Sequence, residues 1–447
     1  MNKSYKMIRC LLLLTVLSVI GCKQQVVKGK IETTFKNDTV LDSFFSVLHE
    51  KKMFNGAVAI KKQGKLIFKK GYGIANFEMG TPFTPNTAME IASVSKQFTA
   101  AAVLKLYSEG KLDISQYVRQ YLGDDFPYKE IKVYQLLNHS SGLADYEDYF
   151  KEHWDTSKIA DNRDILQYFM KEQPPLISKP GSRYHYSNSG YVLLAEVVRS
   201  VSGQSLDEYL EKEVFAISGM VNSGFYDRDT IWELKNYAPG YFLDPIQCTY
   251  IKPELLKGKE YYHFLSGRLG SGRLSSSVED LIKWDSILYK GAILNTETSK
   301  LAFTVHMPEN DFSDYGFGWH VQEDEDLGKI VYHTGSWAGN HSYIKRFTDD
   351  ESLIIILNNT HESANMKAIR TTIDAYVSGK GLSFPDQKAV DLLEKEICQL
   401  SPETVETWKN EHKDLDWDET DLTALKKRYI ENKEPEKAKI VSKLISK

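Results

Sequence analysis

The sequence is poor in cysteine, and it lacks the short motifs that mark several large enzyme classes. Only four cysteines occur in 447 residues, and there is no C-x-x-C or H-E-x-x-H pattern, so the chain offers no candidate metal ligands. No G-x-S-x-G elbow occurs, and Gly71 and Gly73 lack the third glycine of a dinucleotide fingerprint. The sequence therefore predicts neither a metal nor a bound cofactor.

A surplus of positive charge is also absent. The formal charge is −5 and no basic stripe stands out, so nucleic-acid binding is not expected. Hydrophobic residues make up 42% of the chain and charged residues 26%, which is the composition of a globular protein with a sizeable core.

Long apolar runs are missing as well. The most apolar stretch, residues 10–20, is too short to span a bilayer; three positive residues precede it and small residues follow, as in a signal peptide. Its end, LSVIGC at 17–22, resembles a bacterial lipobox. That resemblance implies removal of residues 1–21, lipid attachment at Cys22 and a polar tether over 22–40. An ordinary secretory signal with an incidental cysteine is the alternative.

Removal of this signal would take away three positive charges and leave a formal charge of −8. We expect the mature protein in the bacterial cell envelope, lipid-anchored and facing the periplasm or the exterior. Two cysteines would remain unmodified, Cys248 and Cys398. An oxidising envelope permits a disulfide between them, and two buried free thiols are the other possibility.

Hydrophobic patterning predicts a large region with strands near both ends, followed by a C-terminal extension with a helix over 389–400 and a pair of helices over 418–447. Apolar residues at helical spacing predict an amphipathic helix over 41–48. Alternating apolar runs predict strands near both ends of the large region, at 57–60, 66–68, 342–347 and 352–357. The segment between them is mainly helical. Strands at both ends with helices between them predict an α+β fold, with one sheet built from both ends of the region and an inserted all-α subdomain.

One short motif supplies candidate chemistry: Ser93 stands three residues before Lys96, at the start of an alanine-rich helix predicted over 93–109. On a helix, such residues share a face. A serine needs a neighbouring base to act as a nucleophile, and a lysine with a lowered pKa can be that base. The spacing recurs at Ser108 and Ser342, but the first falls at a helix end and the second in a predicted strand. A plain helix cap is the alternative role of Ser93.

Two further motifs follow. Tyr186 and Asn188 form the only Tyr-x-Asn of the chain, and His333, Thr334 and Gly335 form the only His-Thr-Gly. With S-x-x-K in front of them, in this order and at wide separations, the chain resembles the serine hydrolases of the penicillin-binding protein and class C β-lactamase superfamily. Satellite stretches match at 54–58, 136–143, 272–281 and 315–319. The resemblance covers about residues 41–375 and leaves a helical C-terminal extension, 376–447, outside it. It implies an antiparallel sheet flanked by helices beside an all-α subdomain, with the site in the cleft between them.

This resemblance implies a set of roles. Ser93 is expected to be the nucleophile that forms an acyl-enzyme, with Lys96 or Tyr186 as the general base; which of the two takes the proton stays open. The Tyr186 phenol is expected to be acidic, kept so by Lys96 and by His333 when that histidine is protonated. Asn188 is expected to hydrogen-bond the acyl side of the substrate. A packed aromatic and a turn asparagine are the alternatives for Tyr186 and Asn188.

The third motif is expected on a strand that lines the substrate cleft. His333, Thr334 and Gly335 would bind substrate there, with Gly335 permitting a close approach of the substrate backbone. The backbone N–H groups of Ser93 and Ser336 would form the oxyanion hole. His139, in a satellite stretch, is expected to be structural. Two aromatic stretches, 146–154 and 237–262, could also line the cleft.

A histidine at position 333 departs from the class C enzymes, which typically carry a lysine there. Histidine is only partly charged near neutral pH. This is similar to D-alanyl-D-alanine carboxypeptidases, D-aminopeptidases and related esterases. We therefore expect an envelope-anchored serine hydrolase acting on D-amino-acid peptides, amides or esters, such as peptidoglycan stem peptides. A class C-like β-lactamase and a non-catalytic penicillin- or peptidoglycan-binding sensor are the alternatives, and the oligomeric state is open.

Overall fold

A computed structural model describes residues 37–306, 311, 313–361 and 363–445. The strands are β1 (Gly56–Lys62), β2 (Lys65–Tyr72), β3 (Ile74–Asn76), β4 (Thr81–Pro82), β5 (Met89–Glu90), β6 (Phe242–Asp244), β7 (Thr249–Ile251), β8 (Ser275–Ser276), β9 (His320–Asp324), β10 (Gly328–Trp337), β11 (Asn340–Phe347) and β12 (Ser352–Asn358).

The helices lie mainly between β5 and β9 and after β12. They are α1 (Thr39–Glu50), α2 (Lys96–Ser108), α3 (Arg119–Leu122), α4 (Val133–Leu137), α5 (Tyr146–His153), α6 (Asn162–Glu172), α7 (Asn188–Ser202), α8 (Leu206–Leu210), α9 (Ala216–Ser218), α10 (Tyr261–Phe264), α11 (Val278–Tyr289), α12 (Thr296–Ala302), α13 (Ser363–Val377), α14 (Ala389–Glu396), α15 (Val405–Glu411), α16 (Glu419–Glu431) and α17 (Pro435–Leu444). A 3-10 helix, Ala92–Ser95, precedes α2.

Six strands form one antiparallel sheet in the order β2-β1-β12-β11-β10-β9. The N-terminal β1 pairs directly with the C-terminal β12, with Ala57 opposite Leu357. This confirms the predicted fold class, an α+β fold whose sheet joins both ends of the region.

Alternation along the central strands separates two hydrophobic cores. Val58 and Ile60 face a core that includes residues of α1 and α13. Ala57 and Ala59 point to the opposite face, into a larger core that includes residues of α2, α7 and α11. Because successive side chains of a strand point to opposite faces, a central strand covered by helices on both sides is apolar at nearly every position.

The C-terminal extension has a hydrophobic core of its own, formed by residues of α14–α17. The sequence predicted a helical segment from 389 to 400 and a helix pair after 418; α15 was missed because only Val405 and Trp408 of its seven residues are buried. A disulfide joins Cys398 to Cys248 in the β6–β7 turn. An ion pair of 2.8 Å between Lys52 and Glu396 adds a second connection to the large region. Of the two possibilities for the cysteines, the structure contains the disulfide.

Within the described residues, no helix combines the length and the hydropathy needed to cross a bilayer. The predicted signal segment, 1–21, and the lipid-attachment residue Cys22 lie outside the described residues.

Candidate active site

Ser93 lies in the 3-10 helix Ala92–Ser95, and the α-helix α2 begins only at Lys96. The prediction of one α-helix from position 93 is therefore wrong for its first turn. The chain enters this turn through Ala92 in a left-handed conformation, with φ of +46°. In a 3-10 helix, residues i and i+3 eclipse each other, which places the Lys96 side chain directly over that of Ser93.

Lys96 is fully buried, and its Nζ contacts three oxygen atoms. It lies 3.2 Å from Ser93 Oγ, 2.9 Å from Asn188 Oδ1 and 2.7 Å from the Ser271 carbonyl oxygen. The Asn188 and Ser271 oxygens can only accept hydrogen bonds. A neutral Lys96 amine would donate its two hydrogens to these carbonyls, and its lone pair would then face the Ser93 hydroxyl.

Burial lowers the pKa of Lys96 to about 7, since an ammonium group loses its hydration inside the protein. The nearby guanidinium of Arg268 lowers this pKa further, whereas the carboxylates of Asp145 and Glu147 raise it. Near neutral pH, a large fraction of molecules therefore carries an unprotonated amine beside the serine.

Tyr186 packs against the Lys96 amine and the His139 ring. Lys96 Nζ lies 4.8 Å from its ring centroid, and the His139 centroid lies 4.2 Å away. Burial raises the pKa of the Tyr186 phenol far above its ordinary value, although a hydrogen bond with Ser93 acts in the opposite direction. The expectation of an acidic phenol is therefore wrong, and Tyr186 stays protonated at neutral pH.

Asn188 begins α7 and connects Lys96 to an acidic residue. Its Oδ1 accepts from Lys96, and its Nδ2 donates to Glu147 Oε1 over 3.0 Å. Its backbone N–H donates to Asp145 Oδ2 over 3.0 Å, which favours the start of the helix because the first N–H groups have no partner within it. Both predicted members of the Tyr-x-Asn motif are thus brought to the serine and the lysine.

His333 is buried on β10 and bonded on both ring nitrogens. Nδ1 lies 2.6 Å from the Thr334 carbonyl oxygen, so it carries the proton, and Nε2 accepts from the Tyr315 hydroxyl over 2.9 Å. Burial, with a contribution from His320, holds the pKa of His333 well below its ordinary value. The expectation of a protonated His333 that acidifies Tyr186 is therefore wrong.

Gly335 serves the packing of β10 against the turn that carries the serine. A Cβ at this position would lie 2.3 Å from the Ile91 carbonyl oxygen and 2.3 Å from Ser342 Oγ, which itself donates to that carbonyl over 2.6 Å. The sequence assigned this glycine to close approach of the substrate. In the structure, the missing side chain instead lets the backbone at Ile91, just before Ser93, approach β10 closely.

A cavity of about 290 Å³ opens at this junction. Four predicted residues line it: Ser93, Tyr186, Asn188 and Ser336. Lys96 lies buried behind Ser93. The cavity is thus surrounded by four groups: the Ser93 hydroxyl, the Lys96 amine with its lowered pKa, the protonated Tyr186 phenol and the strand edge at Ser336.

A family model described as Beta-lactamase matches residues 41–377. The chain belongs to the beta-lactamase family. Penicillin-binding protein 4* of Bacillus subtilis (strain 168) is 33% identical over 352 residues, which cover 78% of this chain and 78% of that relative. This beta-lactamase-family protein is therefore a serine hydrolase of the group that includes the penicillin-binding proteins, as its motifs predicted.

Solved structures agree with this assignment. A penicillin binding protein from Bacillus halodurans matches with a TM-score of 0.63 at 27% identity, over 73% of this chain and 98% of that one. A D-amino acid amidase from Ochrobactrum anthropi SV3, complexed with L-phenylalanine amide, matches with a TM-score of 0.62 over 77% of this chain and 100% of that one. At 21% identity the second likeness concerns the fold alone.

Glu147, Arg268 and Trp337 are among the residues that line the cavity of this beta-lactamase-family protein without having been predicted as site residues. Glu147 lies on α5, within the aromatic stretch 146–154 that the sequence associated with the cleft. That stretch was the sequence signal that could have identified it. Burial raises the pKa of its carboxyl group. Arg268 lies three residues before Ser271 in a stretch without regular structure, where no sequence pattern indicates the direction of a side chain.

The ring of His139 packs against the ring of Tyr186, with 4.2 Å between the centroids. His139 is buried with φ of +59°, and its Nδ1 accepts from the Ser187 backbone N–H over 3.1 Å. These contacts agree with the structural role expected from the sequence. Among the described residues, no cluster of histidine, cysteine or acidic side chains could hold a metal ion.

Proposed function

We propose that this protein cleaves amide or ester bonds of D-amino-acid derivatives, such as peptidoglycan stem peptides, through an acyl-enzyme on Ser93. The observation that carries the proposal is the buried Lys96 amine, 3.2 Å from Ser93 Oγ and with its pKa lowered to about 7. A general base works best when its pKa lies near the operating pH. The roles assigned to individual residues below belong to the same proposal.

In the first step, Ser93 Oγ attacks the carbonyl carbon and its proton passes to Lys96 Nζ. The negative charge that forms on the carbonyl oxygen is stabilised by the backbone N–H groups of Ser93 and Ser336. Lys96 is preferred to Tyr186 as the base because Lys96 has a free lone pair near pH 7, whereas burial keeps the phenol protonated.

Collapse of the intermediate breaks the bond to the leaving amine or alcohol. The Tyr186 hydroxyl gives its proton to the leaving group and regains one from the Lys96 ammonium, so that the lysine returns to its neutral form. Water then attacks the acyl-enzyme with the same groups acting in reverse, which releases the acid and restores Ser93.

The neutral His333 supports D-amino-acid derivatives over dedicated antibiotic destruction. A permanent cation at this position would hold a substrate carboxylate, but burial keeps His333 uncharged. Penicillin-binding protein 4* is named for binding penicillin, which supports acylation of Ser93 by a penicillin as a probe reaction.

We also propose that the protein is a lipoprotein of the bacterial cell envelope. In this proposal residues 1–21 are a signal peptide, Cys22 carries the lipid, residues 22–40 are a tether, and a hydrolase domain over 41–375 precedes the extension at 376–447. The disulfide between Cys248 and Cys398 supports an oxidising compartment.

The test is labelling with a fluorescent penicillin and with a fluorophosphonate, comparing the wild type with Ser93→Ala. Ser108→Ala is the matched control, because Ser108 has the same S-x-x-K spacing at the end of α2, where it is exposed. We expect label on the wild type and on the control but not on Ser93→Ala. Absence of label with both probes would favour a binding protein.

Substrate class is tested with D-Ala-D-Ala peptides, D-amino-acid amides, short-chain esters and nitrocefin. We expect Ser93-dependent turnover of the first three and a slow release of the penicillin acyl group. Rapid turnover of nitrocefin, without hydrolysis of the D-amino-acid compounds, would replace this proposal with a β-lactamase.

A further inference from the structure

Arg268 lines the candidate active-site cavity together with Ser93, Asn188 and Glu147, and the acyl-transfer steps do not use it. Only 3% of its surface is exposed. A buried cation is costly unless a charge or hydrogen-bond acceptors compensate it, so its presence beside the serine requires an explanation.

Arg268 differs from the other buried arginines of the described part of the chain. Arg228, Arg273 and Arg346 each have a carboxylate oxygen within 2.9 Å of the guanidinium. Arg268 has no carboxylate within 4.0 Å among the described residues; its Nη1 donates to the Leu265 carbonyl oxygen over 2.7 Å, and its Nε has no partner.

The surroundings hold this guanidinium in one orientation. It stacks on the Trp337 ring, with the carbon of the group 3.8 Å from the ring centroid, an arrangement that arginine favours. A Cβ on Gly272 would lie 3.3 Å from Arg268 Nη2, so the glycine leaves room for the group beside the cavity. A planar donor group is thus fixed in place before any substrate arrives, which reduces the entropy lost on binding.

Among the described residues, Glu147 is the only acidic one on the cavity wall, and its carboxylate is engaged elsewhere. Glu147 Oε1 accepts from Asn188, and Oε2 lies 3.6 Å from Lys151 Nζ. Asp145 accepts from the backbone N–H groups of Glu147 and Asn188. Both carboxylates influence Arg268 through charge at a distance and leave its hydrogen-bonding edge unused.

We propose that Arg268 binds a carboxylate on the acyl portion of the substrate, so that the enzyme prefers acyl donors with a negative charge beside the scissile carbonyl. The acyl side follows from the cavity wall, which includes Asn188, the residue assigned to the acyl group, but not His333 or Thr334. This inference rests on the proposed function, since it names a substrate feature for the same site. Guanidinium and carboxylate groups match in planar, two-point hydrogen bonding.

A matched pair of substrates tests it: the α-(4-nitroanilides) of N-acetyl-D-glutamate and N-acetyl-D-glutamine, which differ only in the side-chain carboxylate. We expect the wild type to favour the glutamate compound. The kcat/KM of Arg268→Gln on the glutamate compound should be lower than that of the wild type by about 10- to 100-fold, mainly because KM rises. On the glutamine compound the factor lost should be at least tenfold smaller.

Arg163→Gln, at an exposed position on α6, is the control and should keep the preference of the wild type. Equal losses of Arg268→Gln on both substrates would show that Arg268 acts only through the fold or through the pKa of Lys96, and would overturn the proposal. An unchanged preference in Arg268→Gln would overturn it as well.

A second measurement does not depend on turnover. Calorimetric titration of Ser93→Ala with the α-amides of N-acetyl-D-glutamate and N-acetyl-D-glutamine, which differ only in the side-chain carboxylate, should show tighter binding of the glutamate compound, and adding Arg268→Gln should remove the difference. Equal affinities would overturn the subsite. If the penicillin and fluorophosphonate probes fail to label Ser93 while the glutamate still binds through Arg268, the proposed hydrolysis fails and the carboxylate subsite stands.

Discussion

Protonation of Lys96 is expected to stop attack by Ser93, so acylation should fall as the pH drops through about 7. The lysine is fully buried, and burial lowers its pKa from 10.5 to about 7. This change favours the neutral amine by about 5 kcal/mol relative to a lysine in water. Roughly one tenth of the molecules would hold a neutral Lys96 at pH 6 and about one hundredth at pH 5, which predicts a tenfold loss of rate for each pH unit.

The assay is the single-turnover rate of Ser93 labelling by a fluorescent penicillin between pH 5 and about pH 9, with circular dichroism at each pH to confirm folding. The logarithm of the rate should rise with pH with a slope of one up to about pH 7, as Lys96 loses its proton. It should then stay level, because the raised pKa of Tyr186 keeps the phenol from titrating in this range.

Two charge variants test the physical cause. Arg268→Gln removes a cation that lowers the pKa of Lys96, so the midpoint should move to higher pH. Glu147→Gln removes a carboxylate that raises this pKa, so the midpoint should move to lower pH. Arg163→Gln is the control and should leave it in place.

A rate that stays flat from pH 5 to about pH 8 would refute Lys96 as the base. Shifts of Arg268→Gln and Glu147→Gln in the same direction would refute the electrostatic account. A midpoint that disappears in His333→Gln would assign the titration to the histidine and contradict its neutral state.

Three other perturbations follow from the packing. Gly335→Ala should abolish labelling of Ser93, because its Cβ would lie 2.3 Å from the carbonyl that precedes the serine turn; Gly224→Ala, whose Cβ would meet nothing closer than 3.8 Å, is the control, and equal labelling of both would contradict the argument. Replacing Cys248 and Cys398 by serine should make the extension sensitive to protease, because their disulfide closes a loop with a sequence separation of 150, worth about 5 kcal/mol in chain entropy; unchanged resistance would show that packing alone holds it. Asp285→Asn should lower the free energy of unfolding by about 3–5 kcal/mol in denaturant titration, because this carboxylate neutralises two buried cations, each 2.7 Å away; a loss below about 1 kcal/mol would contradict that role.

Structural features that depend on residues close together in the sequence were predicted correctly. The apolar runs near both ends of the large region and the helical spacing over 41–48 predicted β1, β2, β11, β12 and α1, and the strands at both ends predicted one shared sheet, in which β1 pairs with β12. The S-x-x-K pair was predicted for the same reason, because residues three apart meet on any helical turn. A 3-10 turn in place of the α-helix left this contact intact.

Protonation states were not predicted, because they depend on what surrounds a group in three dimensions. His333 was expected to be partly charged near neutral pH, but the Tyr315 hydroxyl and burial hold it neutral. The same burial raises the pKa of Tyr186 instead of lowering it. Burial is a sum over contacts from distant segments, and a sequence motif contains no measure of it.

The sequence by itself determined the family, the α+β fold and the residues Ser93, Lys96, Tyr186, Asn188 and His333, because motif spacing and hydrophobic periodicity are local properties of the chain. The tertiary structure alone decided that Lys96 has a pKa near 7, that His333 is neutral, and that Arg268, beside the serine, has no carboxylate within 4.0 Å among the residues that the structure describes. The physical reason is that folding removes these groups from water and places them among side chains far away in the sequence. Desolvation and charge at short distance, which set their chemistry, exist only in the folded protein.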